Sequence, residues 1–182
     1  MTNLTSGATP INRRIVLAAR PKGAVTPDNF RIEEASVATL ADGQFLVHNR
    51  YLSLDPYMRG RMDDGKSYAK PVEIGAVMGG GTVGEVVQSR HPGFAQGDLV
   101  QGALGWQLYA ISDGAGVQKL PKSKVPVTAY LGAVGMPGVT AWYGLNRILT
   151  PKAGQTLCVS AASGAVGSVV GQLAKAAGRR VV

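Results

Sequence analysis

The strongest chemical signal in the chain is a turn of six residues, Ala162-Ser163-Gly164-Ala165-Val166-Gly167. The apolar run Thr156-Leu157-Cys158-Val159-Ser160 precedes it, as expected of a parallel strand buried on both faces. A helical period follows at once, with Val166, Val169, Val170, Leu173, Ala174 and Ala177 on one face. Gly178 is placed to cap that helix, and Arg180-Val181-Val182 begins another strand. The turn reads Ala162-x-Gly164-x-x-Gly167, the dinucleotide fingerprint with alanine in place of its first glycine. Gly164 would let the backbone approach a pyrophosphate, and Gly167 would let the helix start close to the strand. The helix N-terminus offers free amides and the positive end of a dipole. A tight turn of purely structural purpose is the alternative. Residues that choose between a ribose hydroxyl and a 2′-phosphate lie after the second strand, so NAD and NADP both stay open on these residues.

The second chemical cluster is Asp55-Pro56-Tyr57-Met58-Arg59 with Arg61. Asp55 is suited to the N-cap of a short helix, and Pro56 to its first position. Arg59 and Arg61 are expected in surface or ion-pair roles, with attraction for phosphates or a carboxylated substrate as the alternative. Metal chemistry finds little to use. A catalytic zinc needs about three protein ligands. The chain has one cysteine, Cys158, and two histidines, His48 and His91, none at ligand spacing. We expect no metal site.

These residues need elements to hold them. Of 182 residues 45% are hydrophobic, enough for one or two modest domains with a core. The first two-thirds reads as short strands between Gly and Pro turns: 14–18, 30–33, 44–49, 82–87 and 97–102. That spacing suggests a small barrel or sandwich. Near residue 125 the character changes. Ala129–Gly132 and Val139–Leu149 look helical, separated by Gly135-Met136-Pro137-Gly138. A single β–α–β unit cannot cover its own sheet, so the chain is expected to be an N-terminal fragment.

The formal net charge is +8. The basic residues form no long run and no basic helix face. The charge is read as solvated surface, with no nucleic-acid partner. One cysteine, expected buried, excludes an internal disulfide and favours a reducing, cytoplasmic setting. No apolar run reaches the roughly 20 residues that span a bilayer, so no membrane partner is expected.

Four stretches together resemble a known family: Tyr51–Arg59; Gly105-Trp106 with Tyr109; Leu131-Gly132 with Gly135–Ala141; and Val159–Gln172. From about Asn12 to Val182 the chain resembles the zinc-independent medium-chain dehydrogenase/reductases, in the branch of prostaglandin, leukotriene, alkenal double-bond and curcumin reductases. The resemblance implies a mixed α/β protein: a GroES-like β-rich domain over residues 12–125, after a disordered 1–11, and helices plus the start of a Rossmann-type domain over 126–182. It implies NADP as cofactor, reduction of the C=C bond of enals and enones, and a homodimer at full length. It places nicotinamide in a cleft lined by Met136, Pro137, Gly138 and Thr140. It puts the pyrophosphate at Ala162, Gly164, Ala165, Val166 and Gly167, and Tyr57 along the substrate pocket. There Tyr57 is the candidate hydrogen-bond donor to the substrate carbonyl, with an aromatic packed at a helix start, its hydroxyl in water, as the alternative. Zinc-dependent relatives carry a Cys near the Asp55 segment and Gly-His-Glu where this chain has Gly79-Gly80-Gly81. Trp106 and Tyr109 are expected in packing rather than in a pocket. A quinone reductase of the same superfamily and an inactive, truncated binding module are the rival readings.

Overall fold

The computed structural model describes residues 10–182, so the expected disorder lies, for residues 1–9, outside the described residues. Ile11, the last residue of that stretch, instead opens a strand. The chain divides into two units, Met1–Pro121 and Lys122–Val182.

The first unit is built of β-strands. β1 (Ile11–Leu17) pairs antiparallel with β2 (Phe30–Ser36), from Ile11 opposite Ser36 to Leu17 opposite Phe30. A five-stranded antiparallel sheet contains β3 (Phe45–Leu52), β4 (Thr82–Ser89), β5 (Leu99–Gly102), β6 (Tyr109–Ser112) and β7 (Gln118–Lys119), in the order β6-β3-β4-β5-β7. Each expected strand is present, with ends displaced by a few residues. β6 and β7 are additions. The first is four residues long and the second two.

Two groups of side chains fill this unit. Phe45, Val47, Val86 and Val100 are fully buried, with Phe94, Leu104 and Val117 against them. Phe45 stacks on Phe94 with ring centroids 4.2 Å apart. Leu17, Met62 and Met78 form the second group, with Phe30, Val72 and Trp106 packed on it. Burying a side chain of this size is worth about 1.5–3 kcal/mol.

That second group fixes the short helix α1 (Tyr57–Arg61). Met58 and Met62, one turn apart, are both buried and hold one face of α1 to the strands. Arg20 Nη1 donates to the Met62 carbonyl at 2.8 Å, and the Val72 amide to the Arg61 carbonyl at 2.8 Å. Asp55 does not cap α1 as expected. The residue before the helix is Pro56, no side chain caps it, and the Asp55 carboxylate instead accepts the Ser53 hydroxyl at 2.9 Å.

The second unit starts with a 3-10 turn, Val127–Leu131, followed by α2 (Met136–Tyr143) and a π-helical turn, Gly144–Leu149. Here Met136-Pro137-Gly138 is not the separator read from the sequence but the first turn of α2. Pro137 sits where a helix has no amide to bond, so proline starts the helix instead of breaking it. The run ends at Thr150, a non-glycine residue with φ of 41°, ahead of Pro151.

β8 (Thr156–Leu157), α3 (Gly167–Ala176) and β9 (Arg180–Val181) complete the β–α–β unit. β8 and β9 are parallel, with Thr156 opposite Arg180. Gly178 has φ of 74° just beyond the helix, the left-handed C-terminal position expected of it. β8 is shorter than the expected 156–160. Cys158 is exposed, not buried. β8 and β9 form a two-stranded sheet, with α3 packed against β9.

Candidate functional site

The turn at the end of β8 is shaped by one glycine. A Cβ on Gly167 would lie 2.0 Å from the Ala161 carbonyl oxygen and 2.7 Å from its carbon. Only hydrogen fits there, and this lets α3 begin directly against the strand end. Gly164 is less constrained, since a Cβ would sit 3.2 Å from the same oxygen. The Gly164 amide donates to Ala161 at 3.0 Å, and the Ser168 amide to Gly164 at 2.9 Å. Between them, the amides of Ala165, Val166 and Gly167 find no acceptor among the described residues. Residues 161–166 are exposed. Three successive donors at a ten-residue helix start, on a turn without bulky side chains, match what a pyrophosphate requires. Ala162 lies within this turn, its Cα 3.2 Å from the position a Gly167 Cβ would take. The residues present therefore fit a dinucleotide's phosphates.

The segment Met136–Thr140 is held as tightly. A Cβ on Gly138 would come 1.8 Å from the Ala133 carbonyl oxygen, and one on Gly135 would come 2.0 Å from that of Tyr130. Pro137 and Gly138 are buried, while Met136 and Thr140 are exposed. Thr140 Oγ1 donates to the Met136 carbonyl at 2.8 Å. Of the four residues expected along the nicotinamide, two therefore anchor the turn and two face outward. α2 packs on α3, so both expected cofactor segments belong to one unit. Tyr57 belongs to the other unit.

Tyr57 is half-buried at the start of α1. Burial, and then the Asp55 carboxylate, push its hydroxyl above the usual tyrosine range, while Arg61 works in the opposite direction. The phenol stays protonated at neutral pH and remains a donor. Arg61 reaches over the Tyr57 ring, 5.8 Å from its centroid. Arg59 is in an ion pair with Asp63 at 2.6 Å, the surface role expected of it.

Sequence reasoning missed the hollow next to α1. A cavity of about 300 Å³ is lined by Leu54, Asp55, Pro56, Met58, Arg59 and Trp106, among others. A second of similar volume runs past Asn49, Tyr51, Leu52, Trp106 and Leu108. Trp106 borders both, which corrects its assignment to packing alone. It also stacks on Phe30 with centroids 5.5 Å apart, and its Nε1 is buried without an acceptor among the described residues. Tyr109 does pack, stacked on His48 at 4.8 Å. His91 packs edge-on to Phe45 and Phe94. Among the described residues no three His, Cys, Asp or Glu side chains gather as metal ligands. Among them, too, no helix is long and apolar enough to cross a membrane.

Residues 13–120 match the family model described as the N-terminal domain of oxidoreductase. The NADPH-dependent curcumin reductase of Escherichia coli (strain K12) is 56% identical over 94% of this chain and 50% of its own length. Prostaglandin reductase 1 of Mus musculus is 44% identical over 88% of this chain and 48% of its own length. The crystal structure of CurA from Vibrio vulnificus in complex with NADPH matches with a TM-score of 0.87 and 53% identity, covering 93% of this chain and 50% of that one. The chain thus spans about half the length of the relatives it matches.

Proposed function

This chain belongs to the zinc-independent medium-chain dehydrogenase/reductases, in the branch that holds curcumin and prostaglandin reductases, and from that premise we propose that the whole protein uses NADPH to reduce the C=C bond of α,β-unsaturated aldehydes and ketones. The observation that carries the proposal is the turn at Ala161–Gly167, where a glycine that admits no Cβ leaves three amides unbonded at a helix start.

In this reading Ala162, Gly164, Ala165, Val166 and Gly167 bind the pyrophosphate, and Met136 and Thr140 face the nicotinamide on a turn fixed by Pro137 and Gly138. Bound NADPH supplies the hydride, which goes to the β-carbon of the enone. Negative charge then grows on the carbonyl oxygen, and Tyr57 donates a hydrogen bond to it as it grows. Its raised pKa keeps the proton on the phenol until the charge appears. A proton from water completes the α-carbon. Conjugate reduction spreads the charge over an enolate and so depends less on a Lewis acid than alcohol oxidation does. The β-rich part, 12–125, serves as substrate domain and 126–182 as the start of the cofactor domain. The lone cysteine fits a reducing compartment such as the cytoplasm.

The test is NADPH oxidation by the full-length protein with an alkenal and a quinone side by side. A clear preference for the alkenal is expected; a preference for the quinone overturns the assignment in favour of a quinone reductase. Tyr57→Phe is expected to lower kcat/KM for the enone by about 100-fold, the usual cost of losing an oxyanion donor. A change within about twofold removes Tyr57 from the donor role.

A further inference from the structure

The structure separates two arginines that the sequence left alike. α1 presents three faces, each marked by a pair one turn apart. Met58 and Met62 are buried. Arg59 joins Asp63 at 2.6 Å on the outer face. Tyr57 and Arg61 share the third, with the guanidinium 5.8 Å from the Tyr57 centroid and 4.9 Å from that of Tyr68. Arg61 belongs to none of the ion pairs among the described residues. The carboxylates near it in sequence are engaged elsewhere: Asp63 by Arg59, Asp64 by Arg20 at 3.3 Å, and Asp55 by the Ser53 hydroxyl. Its one hydrogen bond is from Nη1 to the Lys70 carbonyl at 3.3 Å, and its Nε is buried with no acceptor among the described residues.

A guanidinium has five N–H donors, and a buried one left unmatched is costly. Two aromatic rings stabilise its charge through their faces but take none of its in-plane donors. The complementary group is an anionic oxygen, for which the planar fork of an arginine is suited. We infer that Arg61 is an anion-binding residue beside Tyr57 that receives a substrate carboxylate, so that the enzyme favours acidic enones over neutral ones of equal size. The inference rests on the function proposed above, with the enone carbonyl at Tyr57. A cofactor phosphate offers the same chemistry, and the experiment distinguishes the two.

The experiment uses the full-length protein and two enones of matched shape, ethylideneacetone and acetylacrylate, in which a carboxylate replaces the terminal methyl. The quantity read is the ratio of kcat/KM for the acid to that for the neutral ketone, so the intrinsic reactivities of the two compounds cancel between variants. Arg61→Met is expected to lower this ratio about tenfold, within the range of a hydrogen bond to a charged group. Arg61→Lys, which keeps the charge but not the fork, should retain part of it. Lys70→Met removes an equal charge from the neighbouring loop and should leave the ratio within about twofold. A ratio unchanged in Arg61→Met overturns the inference. So does a rise in KM for NADPH at constant ratio, which assigns the cation to the cofactor's phosphates. If the unaltered protein reduces neither enone, the proposed function itself fails and this inference with it.

Discussion

Replacing Gly167 by alanine is the sharpest probe of the turn. The added Cβ would stand 2.0 Å from the Ala161 carbonyl oxygen, and carbon atoms in that position do not come closer than 3.0 Å to their neighbours. The obstruction is backbone, so no side-chain rotation relieves it. The difference, 3.0 − 2.0 Å, means that the start of α3 must retreat by about 1 Å. A hydrogen bond of about 2.9 Å to a phosphate oxygen then lengthens to about 3.9 Å, which is no longer a hydrogen bond. One such bond to a charged acceptor is worth roughly 2 kcal/mol, so NADPH should bind about 30-fold more weakly. Calorimetric titration of the full-length variant with NADPH measures this, at a temperature where melting curves show both proteins folded. Gly164→Ala is the internal comparison. Its Cβ would lie 3.2 Å from the same oxygen, which asks for a shift of tenths of an ångström, and the loss should be smaller. If Gly167→Ala is folded and its NADPH Kd stays within about twofold, the amides of this turn do not hold the pyrophosphate.

Gly171, inside α3, should behave in the opposite way: an added Cβ would meet only the Val181 side chain at 3.8 Å, so Gly171→Ala should raise stability by about 0.5–1 kcal/mol in denaturant melts. Glu33 carries a pH dependence. Arg31 first, and then Arg14, hold its carboxyl below the ordinary value of 4.5. A carboxyl depressed by folding contributes stability that is complete above its unfolded pKa and is lost as pH falls through its folded pKa. Glu33→Gln should therefore lower Tm at pH 7, and the difference from the parent should close in acid, as pH falls from 4.5 through the lowered folded pKa. A gap that widens in acid would show that another group controls the effect. Addition of NADPH should raise the Tm of the full-length protein, because a ligand of the native state stabilises it by mass action. No shift at millimolar NADPH would argue against the cofactor assignment.

The β–α–β unit was legible because its signals agree: an apolar run, a glycine turn, a helical period and a C-terminal glycine all fall in register. β2 and β3 were legible by alternation, and β1, β4 and β5 by short apolar runs, the last two behind glycine turns. β6 and β7 were not: β7 has two residues, and β6, as long as β5, lacks the Gly-Asp turn that marked β5 in the sequence. Met136-Pro137-Gly138 was misread for a different reason. Proline and glycine mark both a break and a helix start, and the residue types alone do not show that Gly138 lies close against the Ala133 carbonyl five residues back, inside the first turn of α2. Cys158 looked buried because its strand is apolar, and a strand's composition reports the cover it is suited to, not the cover it has. Trp106 was assigned to packing, yet it separates two hollows whose walls come from residues far apart in the chain. The uncompensated state of Arg61 was likewise hidden. Arg59 and Arg61 differ by two positions, and only the geometry of one helical turn assigns them different partners.

The division of labour around α1 bears on how such an enzyme changes substrates over time. Its anchoring pair, Met58 and Met62, is separate from Tyr57 and Arg61, the pair proposed to meet the small molecule. On that proposal, exchanges at positions 57 and 61 would alter what the enzyme selects while the sulfur-containing side chains beneath keep the segment seated. Selectivity in this region is therefore free to drift by single substitutions without first eroding the scaffold.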